Sequence, residues 1–121
     1  MIRYYSLICG IIWCLHGWAQ PADTLHKIMF YNVENLFHPS DDSLTADDDF
    51  TPTGSYHWTY KKYLRKLSMI GKVIVAAGMG DPPWLVGLAE IENEWVLKDL
   101  CYNSPLRKFG YRYVHYDSPI S

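Results

Sequence analysis

Apolar residues fall into three patterns along this chain, and each pattern predicts a different kind of element. Lys27-Ile28-Met29-Phe30-Tyr31-Asn32-Val33 is rich in β-branched and aromatic side chains, which predicts a buried strand. From Thr59 to Ala77 the apolar positions Tyr60, Tyr63, Leu64, Leu67, Ile70, Ile74 and Ala77 recur at helical spacing, with Lys61, Lys62, Arg65, Lys66 and Lys72 on other faces. This is an amphipathic helix: Thr59 caps its start, Gly78 suits a left-handed residue at its end, and Pro82-Pro83 bars continuation. Trp84-Leu85-Val86-Gly87-Leu88-Ala89 is almost continuously apolar and predicts a second strand buried on both faces. A second helix begins near Asn93 and runs through Val96, Leu97, Leu100 and Cys101 until Ser104-Pro105 breaks it. Tyr111-Arg112-Tyr113-Val114-His115-Tyr116 alternates, which predicts a third strand.

Between the first strand and the first helix, residues 38–57 hold two prolines, one glycine and five aspartates without apolar periodicity. That composition predicts a long surface loop, of the kind that is usually functional or disordered. Ahead of the first strand, residues 1–19 read as a secretory signal peptide. Arg3 supplies the positive start, Tyr4 to Leu15 the apolar stretch, and Gly17-Trp18-Ala19 the small residues before cleavage at Gln20. The apolar stretch is shorter than the roughly 20 residues of a permanent anchor, and an uncleaved anchor or a buried helix is the lesser alternative. Ile8 and Trp13 precede Cys9 and Cys14, where a lipoprotein signal needs a small residue. The expectation is an exported protein, periplasmic or extracellular, with no stable membrane association after signal cleavage.

By length the remaining residues, 20–121, make one domain at most. Eleven basic against 13 acidic side chains give a formal net charge of −2. That balance excludes a highly basic nucleic-acid coat and an acidic disordered tail. Removing the leader leaves Cys101 as the single cysteine, which excludes an internal disulfide and metal-thiolate chemistry. Within its apolar helical pattern Cys101 reads as a small core residue. Nothing in the sequence specifies an oligomer.

The order strand, loop, helix, strand, helix, strand predicts an α/β domain with its chemistry at strand ends. Two strand ends carry oxygen donors directly after an apolar run: Asn32 and Glu34 on the first, Glu90 and Glu92 on the second. A few oxygen-only donors suit Mg²⁺ or Mn²⁺ and leave positions for water and a phosphate. A carboxylate so close to a core is costly unless paired. The plainer alternative is a solvated strand-end cluster. His26, His38 and His57 read as surface or local packing residues, and Trp58, Trp84 and Trp95 as core aromatics. The lysine-rich helix face reads as solvated, although such a face also attracts a phosphate backbone.

As motifs, the same residues resemble the endonuclease/exonuclease/phosphatase superfamily, the deoxyribonuclease I-like group. FYNVENLF (Phe30 to Phe37) is similar to its opening strand motif, and LVGLAEIEN (Leu85 to Asn93) to its second motif, in which a glutamate follows an apolar strand. DDDFTPTGSYHWTYKKYLRKL (Asp47 to Leu67) and the stretch from Val96 to Pro119 resemble a secreted branch of Bacteroidetes-type endonucleases. The resemblance implies a four-layer α/β/β/α sandwich and divalent-metal-dependent hydrolysis of phosphate esters, with nucleic acid among the candidate substrates. It assigns Asn32 to organising the metal and phosphate site and Glu90 to the principal metal ligand. Glu34 takes the place of an acidic residue of the same site, as Glu where many relatives have Asp. Asn32 and Glu90 are thus the candidate catalytic residues, and Asn32, Glu34 and Glu90 the candidate ligands of Mg²⁺ or Mn²⁺. Glu92 and Glu94 have no role in the resemblance and read as solvated.

The family's later motifs, an Asp-x-Asn site, a Gly-Asp-Phe-Asn-type strand and a Ser-Asp-His motif, do not occur in this sequence. Residues 20–121 therefore correspond to the N-terminal portion of such a domain, truncated, and the expectation is a fragment that is inactive alone. An alternative from another class is a secreted, non-enzymatic calcium-binding module built on Asp41, Asp42, Asp47, Asp48 and Asp49, although EF-hand spacing is absent. Another is a non-functional gene remnant.

Overall fold

The computed structural model describes residues 25–40 and 48–116. The predicted signal peptide, and Asp41, Asp42 and Asp47 of the aspartate loop, lie outside the described residues.

Strand β1 spans Ile28–Leu36, helix α1 Tyr60–Ala77, strand β2 Leu85–Ile91 and helix α2 Glu94–Tyr102, with 3₁₀ turns at Asp48–Phe50 and Pro105–Phe109. β1 and β2 pair in parallel, from Ile28 opposite Leu85 to Asn32 opposite Ala89. Parallel pairing requires a crossover, and α1 supplies it. The Thr59 side chain caps α1 by accepting from Lys62 N–H, and the Asn93 side chain caps α2 by accepting from Val96 N–H. Gly78 ends α1 as expected, but with φ −85°. The left-handed conformation falls on the next residue, Met79, at φ 57°.

The core lies on one face of the sheet. Val33 and Leu36 from β1 meet Tyr63, Leu67, Ile70 and Ile74 from α1, Val96 and Leu100 from α2, and Leu106. Met29, Tyr31, Val86 and Leu88 pack against this cluster from the same sheet face. Burial of each such side chain contributes roughly 1.5–3 kcal/mol against the entropy of ordering it. Two further contacts tie the helices. The Tyr63 hydroxyl donates to Asp99 Oδ2 at 2.8 Å, and burial together with that carboxylate holds the phenol far above its ordinary range. Gly71 lets the 3₁₀ segment close on α1: a Cβ there would stand 2.8 Å from Ser104 Oγ and 2.9 Å from Pro105 Cδ. Cys101 is buried, as its helical position predicts.

The opposite face corrects the expectation of strands buried on both sides. Ile28 is 73% and Phe30 76% exposed, and Leu85 beside them is exposed too. Phe30 lies across Gly87, where a Cβ would meet its ring at 3.1 Å. Trp84 and Trp95 are likewise exposed rather than core aromatics. Trp58 does pack on the core, and its indole N–H donates to Phe37 O at 2.8 Å. The predicted third strand is also corrected. Residues 111–116 alternate in burial as a strand would, but join no ladder. An open groove of about 630 Å³, lined by Val86, Leu88, Leu97, Tyr111, Tyr113 and His115 among others, lies between this segment and β2. Among the described residues, no helix is long and apolar enough to cross a membrane.

Candidate functional site at the strand ends

The regular ladder stops at Asn32 opposite Ala89 and resumes only at Leu36 opposite Ile91. Four residue steps on β1 thus face two on β2, and the surplus is absorbed by an irregular bulge. Glu34 and Asn35 both take φ 57°, and Glu90, across from them, takes φ 61°. Left-handed backbone costs an L-residue roughly 1–2 kcal/mol, less for Asn. Three such residues in one place mark a conformation held by its surroundings.

The conformation at Glu90 decides where its carboxylate goes. Strict alternation puts residue 90 on the face of Val86 and Leu88, toward the core, where an ionised carboxylate is costly. The left-handed turn breaks that alternation, and Glu90 is exposed. Its Oε1 accepts from Asn32 Nδ2 at 2.7 Å and its Oε2 from Asn35 N–H at 3.0 Å. Asn32 Oδ1 accepts from Glu34 N–H at 2.8 Å. Of the three predicted ligands, Asn32 and Glu90 are therefore in direct contact. Glu34 enters the cluster through its backbone N–H.

Sequence reasoning gave three contributors no part in the site. Asn35 supplies the second donor to Glu90. Lys66, expected on a solvated face, turns inward from α1: its ammonium donates to Glu34 O and to Asn35 O, the latter at 3.3 Å, and lies 5.6 Å from the Trp58 ring centroid. Burial pushes its pKa down, against the opposing pull of the Glu34 and Glu90 carboxylates. The signal was present, because residue 66 follows Tyr63 by three and precedes Ile70 by four, which places a cation beside the buried stripe. Glu92, expected to be solvated, is half-buried. Its Oε2 accepts from His38 N–H at 2.6 Å, and its own N–H donates to Leu36 O at 3.2 Å, so it anchors the chain leaving β1. Glu90 and Glu92 diverge, although residues two apart on a straight strand would share a face. Glu94 is exposed, as expected.

Asp48 and Asp49 serve their own turn: Thr51 Oγ1 donates to Asp48 O at 3.0 Å, and Ser55 Oγ donates to Asp49 Oδ1. Among the described residues, no three His, Cys, Asp or Glu side chains converge as a cation site. The donor set at the strand ends nonetheless fits Mg²⁺ or Mn²⁺. Such ions commonly take one or two protein carboxylates and complete their shell with water and substrate oxygens. Each Glu90 oxygen accepts one hydrogen bond of the two its lone pairs allow, and the residue is exposed.

No curated protein and no solved structure matches the chain. A family model described as the Endonuclease/Exonuclease/phosphatase family matches residues 27–121, from the first residue of the strand-one motif's approach through both strand ends. The chain belongs to the endonuclease/exonuclease/phosphatase family.

Proposed function

We propose that the strand ends of this chain form the metal- and phosphate-binding part of a phosphodiester-cleaving hydrolase, with Glu90 as the principal cation ligand and Asn32 as its partner. The observation that carries this reading is the Asn32–Glu90 hydrogen bond, which joins the two family motifs across the ends of two parallel strands. A divalent cation held there supplies Lewis-acid stabilisation of charge on phosphoryl and leaving oxygens. The chain's residues do the rest of the work in this half of the site. Asn32 Nδ2 and Asn35 N–H hold the carboxylate in one orientation, and Glu34 N–H holds the Asn32 amide in the rotamer that donates. The 121 residues contain no Ser-Asp-His, and a positioned base typically contributes about 10²–10⁴-fold. The chain alone is therefore inactive in this reading, as the N-terminal part of a four-layer sandwich whose second sheet covers Ile28, Phe30 and Leu85. The substrate is a phosphate ester, nucleic acid foremost, and the protein acts after export, as its leader suggests.

The test uses the chain cut after residue 19. Titration with Mn²⁺, followed by electron paramagnetic resonance, is expected to show saturable binding that E90Q weakens by well over tenfold. Incubation with plasmid and with a chromogenic phosphodiester in Mg²⁺ or Mn²⁺ is expected to show no turnover. Equal Mn²⁺ binding by E90Q and the parent chain would overturn the ligand assignment. Metal-dependent turnover abolished by E90Q would overturn inactivity.

A further inference from the structure

The contacts of Lys66 place it one peptide unit away from Glu90. Its ammonium donates to Glu34 O. That carbonyl belongs to the same peptide unit as Asn35 N–H, and in a planar trans peptide the C=O and N–H point in opposite directions. Gripping the oxygen from the α1 side therefore aims the N–H away from α1, and there it meets Glu90 Oε2 at 3.0 Å. The second bond from Lys66, to Asn35 O, fixes the next peptide unit of the same left-handed pair. The ammonium also polarises the peptide it grips, which strengthens the opposite N–H as a donor to a carboxylate.

Lys66 is itself held. It leaves the middle of α1, whose Tyr63 and Leu67 are fully buried, and it sits beside the Trp58 ring. Trp58 in turn donates to Phe37 O, two residues past Asn35. One helix residue thus grips the bulge itself, and one aromatic grips the chain just beyond it. Lys62, one turn earlier, donates to Tyr56 O at 3.0 Å and makes no contact with the bulge. It is the natural control.

We propose that Lys66 is a positioning residue for Glu90, acting through the Glu34–Asn35 peptide to fix the carboxylate in the orientation that receives the cation. This inference rests on the reading of Glu90 as a metal ligand, but the clamp has a readout that needs no metal. In the metal-free chain, the Asn35 amide proton is expected to resonate downfield because it donates to a carboxylate. K66M keeps the length and apolar stem of the side chain and removes the cation. In K66M the Asn35 amide shift is expected to collapse toward the value seen in E90Q, whereas K62M leaves it unchanged. K66R, which retains a cation able to reach two carbonyls, is expected to restore most of the shift. Mn²⁺ affinity is expected to fall roughly 10–100-fold in K66M, the usual scale for losing an outer partner of a metal ligand. It is expected to stay within about threefold in K62M.

The outcomes separate the two claims. An Asn35 amide unmoved in K66M overturns the clamp. A collapsed amide shift with unchanged Mn²⁺ affinity overturns its role in positioning Glu90. A parent chain that binds no Mn²⁺ fails the metal-ligand reading, and the amide shift still decides the clamp. If K66M does not fold, K66Q, which keeps a neutral donor, takes its place and is expected to give an intermediate shift.

Discussion

The two ends of the β1–β2 pair are each fastened by a lysine, yet they behave differently. At the start, Lys27 Nζ donates to Gly78 O at 2.7 Å and to Asp81 O at 3.2 Å, and it pairs loosely with Asp81 Oδ2 at 3.5 Å. Trp84 N–H donates to Lys27 O at 2.8 Å and closes a ladder in regular register. No residue from Ile28 to Asn32 or from Leu85 to Ala89 has a positive φ. At the far end the lysine grips a bulge, three residues are left-handed, and the polar groups bond to one another across the strands. The first end is what pairing alone produces. The second is what pairing produces only when neighbouring side chains override the backbone's preference, and a site with aimed donors needs that override. Residues such as Glu90 lie where regular geometry would have hidden them in the core.

The sharpest way to break this contrast is to remove the wall on which the irregular end leans. Leu36 is fully buried where the chain re-enters the core after the bulge. L36A is expected to lose about 2–5 kcal/mol in denaturant unfolding, as large-to-small core changes do. A loss under 1 kcal/mol would mean that the bulge is held by its polar contacts alone.

The left-handed residue Asn35 separates conformation from chemistry. N35A keeps the Cβ but removes the polar side chain that makes the left-handed region tolerable for Asn, and is expected to cost about 1 kcal/mol. N35G is expected to cost little or nothing, because glycine adopts the conformation freely and still supplies the N–H that Glu90 accepts. Equal losses in the two variants would show that the Asn35 side chain, rather than its backbone, matters.

Glu92 tests whether the two glutamates share a duty. E92Q keeps an oxygen to accept from His38 N–H, so unfolding is expected to shift by about 1 kcal/mol or less. Mn²⁺ affinity is expected to stay within about threefold of the parent, in contrast to E90Q. Equal loss of Mn²⁺ binding in both variants would show that the carboxylates share the cation.

The smallest effect belongs to the regular end. K27M removes contacts that are largely exposed and is expected to cost under about 1 kcal/mol, with the Asn35 amide resonance unmoved. A change at Asn35 would couple the two ends and remove the distinction between them.

The two helices, the Thr59 cap and the two strands were legible in the sequence because each rests on local chemistry, whereas the parallel pairing of the strands was not. The Thr59 and Asn93 side chains bond to backbone within three residues, and the α1 stripe of Tyr63, Leu67, Ile70 and Ile74 follows from the helical period. The motifs FYNVENLF and LVGLAEIEN were enough to point to the family and to single out Asn32 and Glu90. The divergence of Glu90 from Glu92 was not legible, since alternation assumes an extended backbone and the left-handed turn at Glu90 is imposed by partners about 55 residues away. Lys66 was misread for the same reason. A helical wheel places it next to the buried stripe, but only β1 packed against α1 brings two carbonyls within its reach. The exposed apolar face of Ile28, Phe30 and Leu85 marks another limit, because apolar composition marks a face as suited to burial without saying whether anything packs on it. The sequence by itself determined the two helices, the two strands that pair and the Thr59 cap, all set by patterns within a few residues. Tertiary structure decided which donors meet and which way Glu90 and Lys66 turn, because those outcomes depend on long-range pairing that overrides local backbone preference.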